Sequence, residues 1–150
     1  MKLAILTIFL VVFSSVAIAH NNGTHRIKSK NSPTETMNKI EGVVKEKGMK
    51  VFARIDHAAG AVSVGQTLPA AELLIFGNPK GGTPLMQCNL QVGLDLPLKI
   101  LVWSDDKQQT WISYNEPAYY AKRYQLGECG NKVITKITNL LELITLVGSK

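Results

Sequence analysis

Three stretches decide the fold: Val51-Phe52-Ala53-Arg54-Ile55-Asp56-His57, Glu72-Leu73-Leu74-Ile75-Phe76-Gly77-Asn78-Pro79 and Leu94-Asp95-Leu96-Pro97-Leu98-Lys99. Each joins an apolar run of strand length to polar or turn-forming residues. In the first, Val51, Ala53 and Ile55 alternate with Phe52 and Arg54, the period of a half-buried strand. The second, Glu72 to Phe76, does not alternate, which predicts a central strand covered on both faces. Its Gly77-Asn78-Pro79 end predicts a turn. Lys99 to Ser104 and Thr110 to Tyr114 add two strands, and the polar loop from Asp105 to Gln109 suits a hairpin between them.

Helices fill the intervals. Ser32 as N-cap, Pro33 at the first helical position and Glu35 two residues on predict a capping box. Met37, Ile40, Val43 and Val44 give that helix an apolar stripe, and Gly48 fits its stop. The small residues Ala58 to Val64 predict a short helix over the sheet edge, and Pro84 to Leu94 has helical spacing at Leu85, Cys88 and Val92. Pro117 opens a helical segment with Tyr119, Tyr120 and Tyr124. Gly127 to Gly130 is expected to separate it from a last helix carrying Val133, Ile137, Leu140, Leu141, Ile144 and Val147 on one stripe. His25 to Lys30 alternates weakly around Ile27, as an edge strand does. The order predicts an α+β domain: an antiparallel sheet with helices packed mainly on one face.

The first residues speak to compartment. Lys2, the apolar run Leu3 to Phe13, and Ala17-Ile18-Ala19 before His20 form the three parts of a secretory signal peptide over residues 1–19. The expected product is a single domain over residues 20–150, periplasmic or secreted, frayed over 20–24 and without a transmembrane anchor. Removing Lys2 leaves 16 basic residues against 11 acidic ones, a net charge of +5. Export argues against nucleic acid as a partner, and anionic envelope surfaces or acidic ligands fit that charge better. The charges are interspersed, as at Lys39, Glu41, Lys45 and Glu46, so an ordinary solvated face is the favoured reading. In an oxidising compartment Cys88 and Cys129 are expected to form a disulfide. No C-x-x-C spacing supports redox chemistry.

Taken together, Ile55-Asp56-His57-Ala58-Ala59, Phe76-Gly77-Asn78-Pro79, Leu94 to Lys99 and Tyr114-x-x-Pro117 resemble the DUF302, or TT1751-like, family across His25 to Val147. The resemblance implies one domain of β-α-β(4)-α type, similar in topology to half of a TATA-binding protein. It implies no reaction, no cofactor and no DNA binding. The two cysteines lie outside the family's pattern, so their pairing rests on compartment alone.

The candidate site collects Asp56, His57, Asn78, Asp95 and Lys99 at strand ends. One reading lets them converge on a cleft. The plainer reading, favoured for Asp56, is that the carboxylate caps the following helix. Asn78 fits its own turn, and Asp95 has Lys99 as a neighbour. Asn78-Pro79-Lys80-Gly81-Gly82-Thr83 lacks the order of a phosphate-binding P-loop; its amides and Lys80 offer contacts to an anion, but a mobile turn is the better reading. Ser63 lacks a nucleophile elbow. No metal is assigned; the weaker variant is Cu(II) at an N-terminal His20, with His25 or His57 adding an imidazole. Trp103 and Trp111 are expected as cross-strand partners in the core, and the tyrosines as ordinary packing. The function expected is an exported, non-enzymatic module binding a small ligand or an envelope protein, dimerising through the edge around Ile27. The alternative is a small enzyme using His57 with Asp56 or Asp95.

Overall fold

The computed structural model describes residues 23–150. The expected signal peptide, His20 and Asn22 lie outside the described residues. The elements run β1 (Thr24–Lys28), α1 (Pro33–Glu46), β2 (Lys50–Asp56), α2 (His57–Ser63), β3 (Ala71–Gly77) and α3 (Pro79–Cys88). A 3-10 turn over Leu90–Leu94 leads to β4 (Leu98–Ser104), β5 (Thr110–Asn115), α4 (Pro117–Arg123) and α5 (Gly127–Gly148). The five strands form one sheet in the order β1-β5-β4-β3-β2, and every neighbouring pair is antiparallel. This is the expected α+β architecture with β1 at an edge.

Register explains which face is covered. Ile27 pairs with Ile112, Ile112 with Val102, Leu74 with Ile100, and Phe76 with Leu98. Ile112, Val102, Ile100, Leu74 and Phe76 are fully buried and share one core with Met37, Ile40 and Val44 of α1 and Leu141 and Ile144 of α5. Burying a side chain of this size contributes about 1.5–3 kcal/mol. The two long helices also touch each other: a Cβ on Gly148 would lie 3.1 Å from Ile40 Cδ1 and closer still to its Cγ1, so only glycine permits this approach. At the other edge of the covered face Arg54 donates to Glu72 at 2.6 Å and to Asn38 and Glu41 of α1 at 2.7 and 3.1 Å. Glu72 holds the Arg54 guanidinium above its ordinary pKa, and Lys45, then Arg54, hold Glu41 below its own.

The opposite parity carries Leu73, Ile75, Leu101, Trp103 and Trp111, all half-buried. The expected double covering of β3 is therefore corrected: one of its faces meets the core and the other does not. Trp103 and Trp111 are cross-strand partners, with ring centroids 6.3 Å apart, but they lie on this second face rather than in the core. Arg26 lies 4.5 Å over the Trp111 ring. Strand alternation alone cannot say which parity the helices will cover.

Local chemistry sets the helix ends. Ser32 Oγ accepts from the Glu35 amide at 3.3 Å and Gly48 adopts φ +68°, as expected for α1. The Glu35 carboxylate pairs with Lys39 at 3.0 Å. Two expectations are corrected. Gly77-Asn78-Pro79 does not merely turn the chain: Asn78 caps α3 and Pro79 opens it, so the helix starts five residues before Pro84. It ends at Cys88, because extended Asn89 (φ −157°) breaks the path and caps the 3-10 turn instead. Gly127 to Gly130 is likewise the first turn of α5 rather than a separator. A Cβ on Gly130 would sit 2.8 Å from that of Leu126, so glycine lets Leu126 fold back under the new helix. Thr24, expected to fray, pairs with Asn115.

Candidate functional site

The polar strand ends fall into two groups. Asp56 pairs with Glu72 at one end of β2 and β3, whereas Lys50 pairs with Gly77 at the other. Six residue steps separate those ends, roughly 20 Å of strand. Asp56 and His57 therefore do not share a cleft with Asn78.

At the first end Asp56 Oδ1 accepts from the Ala59 amide at 2.9 Å, which makes it the N-cap of α2. His57 is the first residue of that helix and is exposed, and no residue of α2 is buried. Among the described residues no hydrogen bond or ion pair engages the His57 ring. His25 lies elsewhere, its Nδ1 3.8 Å from Glu116 and its ring 5.0 Å from Tyr114. Among the described residues, no group of three or more histidine, cysteine or carboxylate side chains is placed to hold a metal ion.

The second end is built differently. Asp95 Oδ2 accepts from Tyr124 Oη at 2.7 Å and from Arg123 at 3.3 Å, while Lys99 Nζ donates to the Asp95 and Pro97 carbonyls at 3.2 and 3.0 Å. These contacts tie α4 to the segment entering β4, whose Leu96–Pro97 peptide is cis. The Asp95 carboxylate raises the Tyr124 phenol above its ordinary pKa by accepting its proton in a hydrogen bond. Burial, reinforced by Asp95, pushes Tyr120 up to about 12. Asp95 and Lys99 are thus brought together, in a structural network rather than an open one.

Asn78 faces an open cleft of about 800 Å³ between α3, α5 and the adjoining strand ends. Its Oδ1 accepts from the Lys80 amide at 2.9 Å, and its Nδ2 donates to the Gly48 carbonyl at 3.4 Å. The walls are Met49, Phe52, Met86, Leu96, Leu98, Val133, Ile137 and Leu140, with Gly77, Gly81, Gly82 and Gly93 admitting depth. Lys47, Lys80, Lys132 and Lys136 also line it, and no aspartate or glutamate belongs to it. All four lysines are exposed, and none is in an ion pair among the described residues. Cys88 at the end of α3 and Cys129 in the first turn of α5 form a disulfide with Cα atoms 5.9 Å apart. That bond ties together the two helices that wall the cleft.

Sequence reasoning found only Asn78 of this lining, with Lys80 noted as a possible anion contact. Lys132 and Lys136 carry a signal, an i, i+4 pair beside an apolar stripe, but nothing in the sequence joins that pair to Lys47 and Lys80.

Residues 25–144 match the family described as "Domain of unknown function DUF302". The chain belongs to the DUF302 family. Its fold is similar to that of the uncharacterized conserved DUF302 protein from Bacillus stearothermophilus, with a TM-score of 0.75 at 18% identity, covering 86% of this chain and 99% of that one. Two curated relatives are each 44% identical over 107 residues, or 71% of this chain: "Fluoride-specific ion channel FluC 1" of Brucella suis biovar 1 (strain 1330) and the protein of the same name from Brucella abortus biovar 1 (strain 9-941). This chain spans only 42% and 40% of their respective lengths. Among the described residues of the DUF302 chain, no helix is long and apolar enough to cross a membrane.

Proposed function

We propose that this DUF302 domain is an exported, non-enzymatic binding module whose ligand is an apolar anion: a hydrocarbon chain ending in a carboxylate or phosphate. The observation that carries this reading is the cleft between α3 and α5, with apolar walls, four lysines and no carboxylate in its lining. Apolar walls favour a hydrocarbon by removing its surface from water, and a few placed polar groups orient the ligand. Lysines without a paired acid favour a negative head group. Asn78 and Lys80 line the same space. Export rests on the signal-peptide pattern of residues 1–19 and agrees with the Cys88–Cys129 disulfide. The enzyme alternative has less support, since Asp56 is committed to a cap and His57 lies roughly 20 Å of strand away from the cleft.

Thermal melts with dodecanoate, dodecanol and dodecyltrimethylammonium, each below its micelle threshold, test the reading. Dodecanoate is expected to raise the melting temperature most, because a ligand selective for the folded state stabilises it. Replacing Lys132 and Lys136 by glutamate is expected to weaken dodecanoate binding by about tenfold, the scale of two exposed charge contacts reversed. Equal stabilisation by the cationic amphiphile, or none by any of the three, sinks it.

A further inference from the structure

We infer that the cleft is filled at the surface of an anionic lipid bilayer, onto which the domain docks through Leu90 and Leu94. This rests on the apolar-anion reading of the cleft and goes one step further, to where the ligand comes from. The 3-10 turn Leu90–Leu94 contributes Gly93 to the cleft, where Met86 Cε lies 3.3 Å from the place a Cβ would occupy. The same turn holds two leucines out into solvent, Leu90 at 76% and Leu94 at 77% exposure, the highest of the exposed large apolar side chains. They are held there actively. Asn89 Oδ1 accepts from the Gln91 amide at 2.9 Å, and Asn89 Nδ2 donates to the Tyr124 carbonyl at 3.0 Å, so the turn is anchored to α4. Val92, its inward residue, is fully buried.

Exposed apolar side chains on a turn that itself lines a lysine-bearing cleft are the features by which a peripheral protein enters an anionic interface: the leucines reach the acyl boundary while lysines meet head groups. Charge complementarity selects this occupant, because the lysines that line the cleft lack carboxylate partners. A second exposed apolar group lies at the opposite end of the sheet, where Val62 and Val64 are each 69% exposed and Leu68 50%. No lysine or arginine occurs between His57 and Ala71, and no residue of that segment lines the lysine-bearing cleft. It serves as the internal control.

Co-sedimentation decides the matter, using vesicles of phosphatidylglycerol with phosphatidylcholine against phosphatidylcholine alone. The domain is expected to bind the anionic vesicles at least tenfold more tightly, with binding weakened by salt. Leu90→Ser with Leu94→Ser is expected to reduce that binding tenfold or more while leaving binding of monomeric dodecanoate unchanged. Val62→Ser with Val64→Ser is expected to change neither. Equal binding to both vesicle types, or full vesicle binding by the leucine double variant, overturns the docking inference even if dodecanoate still binds. Leucine-dependent binding to anionic vesicles without any dodecanoate binding supports docking and counts against the cleft reading instead.

Discussion

The two ends of the sheet use the same local device and reach opposite results. At each, an extended residue with a short polar side chain leaves a strand and caps a helix: Asp56 accepts from Ala59, and Asn78 accepts from Lys80. Beyond Asp56 the helix is seven residues long and has no buried residue. Beyond Asn78 the helix runs ten residues, buries Leu85 against the core and is bonded to α5 through Cys88 and Cys129. A strand-end cap becomes a candidate site only where its helix forms a wall. What surrounds the cap, more than the cap itself, separates the two ends.

Breaking the wall is expected to have the largest effect. Replacing both cysteines by serine frees a loop of 41 residues, which in the chain-entropy model costs about 4 kcal/mol. Denaturant melts measure the loss. Hydrogen exchange separates the ends: amides of α3 are expected to open more readily than those of α2 gain anything, and dodecanoate binding is expected to weaken. A double variant with unchanged exchange in α3 would show that packing alone holds the wall, and that the contrast between the ends does not depend on the bond.

The next effect concerns protons. Burial, then Glu142 and Glu116, push Tyr114 up to about 12, and burial, then Asp95, do the same for Tyr120. Both phenols have folded-state values above the ordinary 10 of an unfolded tyrosine. Their neutral forms therefore contribute stability that is complete below pH ~10 and is lost as the pH rises towards about 12, by up to ~3 kcal/mol per tyrosine. Ultraviolet titration of the phenols alongside thermal melts between pH 9 and 12 checks this. Titration of Tyr114 and Tyr120 near 10 in a protein that stays folded would refute it.

The same contrast shows what could be read from the chain. Antiparallel strands, their number and α1 with its cap and stop were legible, because alternation and capping chemistry act within a few residues. The start of α3 was missed although Asn78 and Pro79 are good starting residues, since Gly81, Gly82 and Pro84 weaken the helical pattern that follows. The half-covered state of β3 was missed because a run such as Leu73 to Phe76 looks the same whether its second face meets a helix or stays half open. The cleft was the least legible feature. Lys47, Lys80, Lys132 and Lys136 come from three separate regions, and only the tertiary packing of α1's exit, α3 and α5 sets them around one space. By contrast Asp56-His57, the sharpest local pair, lies at the other end of β2 and lines no part of this cleft.

The smallest effect is the most discriminating, because it compares the caps directly. Asp56→Ala and Asn78→Ala each remove one side-chain acceptor from a helix start, so each is expected to cost about 1 kcal/mol in a denaturant melt. Only Asn78→Ala is expected also to weaken dodecanoate binding, since its helix start shapes the cleft and the amide of Lys80 loses its fixed partner. His57→Gln, beside the other cap and exposed, is expected to change stability by less than about 0.5 kcal/mol and binding not at all. Calorimetric titration of all three variants reads both quantities together. Should Asp56→Ala or His57→Gln reduce dodecanoate binding as much as Asn78→Ala, the two ends are coupled across roughly 20 Å of strand, and a site confined to one of them is wrong.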